Sequence, residues 1–224
     1  MRHTSWAVLN TVVCAAGVAS VLCLLPLGAQ ANGFQNFDDA ALIDQVAGAV
    51  ARGYGNMHGY RVQFKMLHES TPYESALMTQ YTPANRTCTF FINPKDTSWH
   101  SFEHYLQFFE GLPKKVVYEA FFAHESGHCV QFKEQIDFGP VERAQRQELY
   151  ADVFALSHVE RYYPKYRPAF QIGLMKMRSV EKGTPYDFSR LLHKLLGQPD
   201  LLTALKVTGP QERAFAIARA VDRL

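Results

Sequence analysis

From Phe37 to about Arg52 apolar side chains recur at helical spacing (Phe37, Ala40, Ala41, Ile43, Val46, Ala47, Val50), and Gly53 and Gly55 follow. The pattern predicts a helix that stops at those glycines. Tyr60 to Leu67 alternates around Val62, Phe64 and Met66 and predicts a strand. Ala76 to Tyr81 and Thr87 to Ile92 are two further strand-like runs, with Thr82-Pro83-Ala84-Asn85-Arg86 between them. Proline and asparagine favour a turn, so the two runs predict a hairpin, which Asn93-Pro94 ends. Between 95 and 112, Phe102, Tyr105, Leu106 and Phe109 suggest one short helix. From Pro113 onward the pattern is mostly helical. A helix starts at Gly111-Leu112-Pro113, Asp137-Phe138-Gly139-Pro140 makes a turn, and a second helix runs from about Val141 to Tyr163, where Pro164 stops it.

The N-terminus breaks this picture. Arg2 and His3 precede an apolar run from Trp6 to Leu27, Pro26 and Gly28 interrupt any helix, and Ala29-Gln30-Ala31 supplies small side chains. The segment reads as a signal peptide, residues 1–31, cut after Ala31; the alternative is an uncleaved anchor, since about 20 apolar residues can span a bilayer. Residues 32–224 are then expected to be one exported, periplasmic or secreted domain with no further membrane span. Cys14 and Cys23 leave with the signal, so Cys88 and Cys129 remain. Asn85-Arg86-Thr87 matches the N-glycosylation acceptor pattern, which matters only in a host that glycosylates. The chain is 47% hydrophobic and sets 23 basic residues against 21 acidic ones. Disorder is excluded, and without a basic block nucleic acid is not the expected partner.

The helix after Pro113 carries His124-Glu125-Ser126-Gly127-His128. Positions four apart share a helix face, so both imidazoles can point at one metal ion. Glu125 lies about 100° around from His124, beside the metal and not on it. There a carboxylate can take a proton from water without occupying a coordination site. On the next helix lies Glu148-Leu149-Tyr150-Ala151-Asp152, with Glu148 twenty residues beyond His128. An antiparallel return would bring Glu148 back as third ligand and leave a fourth position open. Asp152, one turn on, can accept the outward N–H of a ligand histidine, and His124 is the expected recipient.

These paired segments resemble the signature of gluzincin zinc metallopeptidases, nearest the branch of the CaaX-processing endopeptidases and their bacterial heat-shock relatives. The resemblance covers about residues 86 to 160. It implies a Zn²⁺ enzyme that hydrolyses peptide or protein substrates, with His124, His128 and Glu148 on the metal and Glu125 as general base. It also implies an α+β, zincin-like fold: a small twisted, mainly antiparallel sheet on the metal helix, followed by a mostly helical half. In that fold an edge strand borders the cleft and pairs with an extended peptide; Thr87 to Ile92 is the candidate for a strand near this edge. Those relatives are often multi-pass membrane proteins, whereas nothing after residue 31 is long and apolar enough to span.

A donor for the oxyanion is also needed, and His193, Arg161, Tyr162 and Tyr163 are the candidates. Other histidines attract blander readings. His100 and His104 share helical spacing but have no evident third ligand, His58 and His68 read as surface or loop residues, and His158 reads as structural. Cys88 shares a strand face with Phe90 and Ile92, and Cys129 follows His128. If that face covers the metal helix, the two sulfurs can form a disulfide; the alternative is two buried thiols. Two other classes stand beside the peptidase reading: an inactive, zinc-stabilised binding module, and a secreted helical domain whose motif is accidental. Glu125 argues against the first, since a structural site needs no such carboxylate, and the Glu148–Asp152 segment argues against the second.

Overall fold

The computed structural model describes residues 40–67, 76–93, 102–180 and 187–224; the signal-peptide reading of residues 1–31 lies outside them. In chain order the elements are α1 (Ala40–His58), β1 (Arg61–Met66), β2 (Leu77–Thr82), β3 (Thr87–Ile92), α2 (Phe102–Leu106), α3 (Lys114–Lys133), α4 (Arg143–Tyr162), α5 (Arg167–Val180), α6 (Ser189–Leu196), α7 (Pro199–Lys206) and α8 (Pro210–Asp222). The class is α+β. Among the described residues no helix is long and apolar enough to cross a membrane.

The first helix corrects the expected stop at Gly53 and Gly55. It runs on to His58, and Ile43, Val46, Ala47, Val50, Ala51 and Tyr54 form one buried stripe along it. Mid-helix glycine costs about 1 kcal/mol, which packing of such a stripe outweighs. Gly55 is needed for space, because a Cβ there would lie 2.8 Å from the Tyr60 carbonyl oxygen and 2.8 Å from Cγ2 of Val62. The helix ends instead at Gly59, whose φ of +71° suits glycine. The Tyr60 N–H then donates to the Gly55 carbonyl at 3.0 Å, a Schellman closure.

The sheet order is β1-β3-β2. β2 and β3 form the expected antiparallel hairpin, with Leu77 opposite Ile92 and Thr82 opposite Thr87. β1, however, runs parallel to β3, pairing Arg61 with Thr87 and Met66 with Ile92. The sheet is therefore mixed, where a mainly antiparallel one was expected. β3 is also central, so it is not the strand near the edge of the cleft; β2 takes that place. The physical reason is burial. Cys88, Phe90 and Ile92 are buried on β3, whereas β1 exposes Arg61, Gln63 and Lys65, charges and amides suited to a strand margin.

β3 lies on α3, with the rings of Phe90 and Phe122 6.0 Å apart, and Cys88 is disulfide-linked to Cys129 with Cα atoms 5.9 Å apart. α4 begins at Arg143, two residues later than its pattern suggested, because Glu142 adopts a left-handed φ of 49°. It returns against α3 at close range. A Cβ on Gly127 would sit 2.9 Å from Cβ of Phe154 and 3.2 Å from Cα of Ala151. On the far side Tyr54 of α1 meets Phe154 at 5.1 Å between ring centres. α5 packs on the turn Gln107–Phe109 that follows α2, where Phe170 stacks on Phe109 at 5.0 Å.

Candidate metal centre

α3 carries His124 and His128 one turn apart, their rings 4.9 Å centre to centre and nearly perpendicular. α4 brings Glu148 between them. Its Oε2 lies 3.4 Å from Nε2 of His124 and its Oε1 lies 3.5 Å from Nε2 of His128. Bonds of about 2.0–2.1 Å in a tetrahedral site put neighbouring ligand atoms about 3.3–3.4 Å apart. Each of the two separations is close to that edge length, one to each oxygen of the carboxylate. Ligand atoms of the three residues all lie within 4.8 Å of one another, so the group can hold a metal ion, and it is the one such group among the described residues.

The surroundings orient this set. Nδ1 of His124 lies 3.0 Å from Oδ1 of Asp152, which leaves Nε2 facing Glu148. Asp152 is 1% exposed and is gripped by Arg178 of α5, whose Nε and Nη2 donate to its two oxygens at 2.9 and 2.8 Å. Arg178 also lies 3.7 Å from Glu148 and 4.5 Å from the centre of the Phe188 ring. No motif announces Arg178. Its signal is periodicity, because it falls on the α5 face that buries Phe170, Leu174 and Met177, where an arginine needs a partner.

Burial and charge set distinct protonation for each group. Burial disfavours the charged form of His124, but hydrogen bonds to Asp152 and Glu148 outweigh it and push the imidazole up to about 10. Burial pushes His128 down to about 4, so its ring is neutral and Nε2 is free to coordinate. Glu148 is opposed by burial too, yet the two histidines and Arg178 hold it below the ordinary carboxylate range. For Asp152, Arg178 and then His124 overcome the same penalty. Glu125 differs: burial prevails and raises it to about 7.

Glu125 stands on the wall of a cavity of about 530 Å³ shared with the three ligands. β2 supplies Leu77 and Thr79, and the Thr79 hydroxyl donates to Oε2 of Glu125 at 2.9 Å. Phe102 and Tyr105 of α2, Phe121 of α3 and Met177 of α5 make an apolar wall. Phe132, one turn beyond His128, stands at the rim and is 51% exposed.

The residues considered as oxyanion donors lie elsewhere. His193 is exposed on α6, Arg161 and Tyr162 are exposed at the end of α4, and Tyr163 accepts a hydrogen bond from Nζ of Lys115 at 2.9 Å. None of the four lines the cavity, and Arg178 is the basic residue that does. His58 corrects another expectation: it is buried on α1, not a surface residue. His158 is buried and bridges Tyr54 and Glu119 at 3.2 Å each. His104 pairs with Gln107, and His68 and His100 lie outside the described residues. No protein-family model, curated protein or solved structure matches the chain.

Proposed function

We propose that the protein is an exported zinc-dependent endopeptidase of the gluzincin type. The observation that carries this reading is the position of Glu125, a half-buried carboxylate on the cavity wall next to the ligand triad and outside it. Two imidazoles and one carboxylate form a donor set suited to catalytic zinc. Zinc held there supplies a Lewis acid that polarises a carbonyl and lowers the pKa of water from about 15.7 toward about 7.

The chain's own residues do the rest. Glu125 takes a proton from the attacking water on its carboxylate and passes it to the leaving amine. Asp152 holds the Nδ1–H of His124 so that Nε2 is the nitrogen turned toward the metal position, where coordination would release its proton, and Arg178 holds Asp152. The peptide lies extended along β2, with an apolar side chain against Phe121 and Tyr105. The Cys88–Cys129 disulfide supports an oxidising, extracytoplasmic setting.

Protein purified without chelator should hold one zinc per chain and lose it in a His124→Ala/His128→Ala variant. Glu125→Gln should keep the zinc while hydrolysis of a proteome-derived peptide library, read by mass spectrometry, drops at least about a hundredfold. Equal cleavage by wild type and variant, or none by wild type, would replace the peptidase with a metal-stabilised binding module.

A further inference from the structure

We propose that Thr79 is a positioning residue for Glu125, fixing from the neighbouring strand which carboxylate oxygen remains free to handle the proton. The proposal rests on the reading of Glu125 as the general base. A glutamate side chain has three rotatable bonds, and confining it costs free energy unless a partner holds it. Here the partner is a single hydroxyl. Oγ1 of Thr79 lies 2.9 Å from Oε2 and 3.3 Å from the backbone carbonyl oxygen of Glu125. A hydroxyl has one proton, and the shorter contact to the carboxylate takes it. Among the described residues that is the one hydrogen bond made by the carboxylate, so Oε1 is left without a hydrogen-bond partner there.

The hydroxyl can do this because the strand cannot drift. Thr79 pairs with Phe90 across the sheet. Phe90 packs on Phe122, three residues before Glu125, and β3 is tied through Cys88 to Cys129, four residues after it. Two anchors on α3 thus bracket the base, and β2 is hydrogen-bonded to the strand that carries both. A shift of one residue in the β2 register would turn Thr79 to the opposite face of the sheet. A small polar side chain on a strand that otherwise presents Leu77 and Met78 to the cavity has no role in the apolar wall, and its contact with Glu125 supplies one.

The test compares Thr79→Val, which keeps the shape and removes the hydroxyl, with Thr79→Ser, which keeps the hydroxyl. Full-length, zinc-loaded proteins are assayed on peptides that wild type cleaves, their zinc is quantified, and their crystal structures are solved. Thr79→Val should lower kcat about ten- to a hundredfold, the scale of a lost hydrogen bond to a charged group, with KM and zinc content unchanged. Its Glu125 carboxylate should leave its position, and Thr79→Ser should restore both the position and most of kcat. An unmoved Glu125 in Thr79→Val, loss of zinc in that variant, or a Thr79→Ser variant as impaired as Thr79→Val would overturn the proposal. If wild type cleaves nothing, the peptidase reading fails by itself, while the position of Glu125 in the two variant crystals still decides the role of Thr79.

Discussion

His58 is a histidine that the fold keeps neutral. Its ring lies 6.3 Å from that of Tyr54 and 6.0 Å from that of Phe154, and neither ring nitrogen has a partner among the described residues. Burial pushes its pKa down to about 4 from the ordinary 6.5. Between those values the unfolded chain binds the proton and the folded chain does not, so acid favours unfolding. Its contribution is fully present above pH 6.5 and is lost as pH falls toward 4, amounting to at most about 3 kcal/mol. Urea midpoints measured from pH 7 to pH 4 should therefore fall more steeply in wild type than in His58→Phe. Parallel curves would show that the ring is not held neutral. Its burial was not legible locally, because the pattern that ended α1 at Gly53 left His58 outside the helix.

Among the elements, the contact between α3 and α4 decides the metal centre, and Gly127 sets its distance. Replacing Gly127 with alanine improves helix propensity by about 1 kcal/mol. The new Cβ, however, would meet Cα of Ala151 at 3.2 Å and Cβ of Phe154 at 2.9 Å, atoms fixed to the α4 backbone. The helices must part, which costs about 1–3 kcal/mol as overpacking does. Parting them also draws Glu148 away from His124 and His128. Gly127→Ala is thus expected to unfold at lower urea and to bind zinc more weakly in a chelator competition. A variant that is more stable with unchanged zinc affinity would refute the spacer role. Sequence spacing shows Gly127 only as the residue before a ligand; its reason is the partner helix it touches.

For the whole molecule, the Cys88–Cys129 bridge closes a separation of 41 residues and joins the sheet to the metal helix. Chain entropy gives a loop of this length about 4 kcal/mol, with native strain able to remove part of it. A Cys88→Ala/Cys129→Ala variant should accordingly lose up to about 4 kcal/mol in urea unfolding, and reductant should then have no further effect on it. Intact mass after alkylation of denatured, unreduced wild type should show neither thiol modified. Two alkylated cysteines at full stability would mean that the bridge does not form. Because the bond sits one residue past His128, its loss should also loosen the strand that carries Thr79.

What the sequence by itself determined is what a single helix or hairpin can encode. His124, Glu125 and His128 could be assigned to one site because 3.6 residues per turn makes relative direction calculable from spacing alone. The same arithmetic put Glu148 and Asp152 on one face of the next helix, and turn chemistry at Pro83–Asn85 announced the β2–β3 hairpin. Tertiary structure decided the rest. The parallel placement of β1 beside β3, the rank of β3 as central strand and the passage of α1 through Gly53 and Gly55 depend on burial against partners far along the chain. Thr79 on β2 and Arg178 on α5 have no fixed spacing to the motif. They reach Glu125 and Asp152 only because the β3–α3 tether and the close approach of α3 and α4 bring β2, α3, α4 and α5 to one cavity, and local periodicity carries no information about distances between elements.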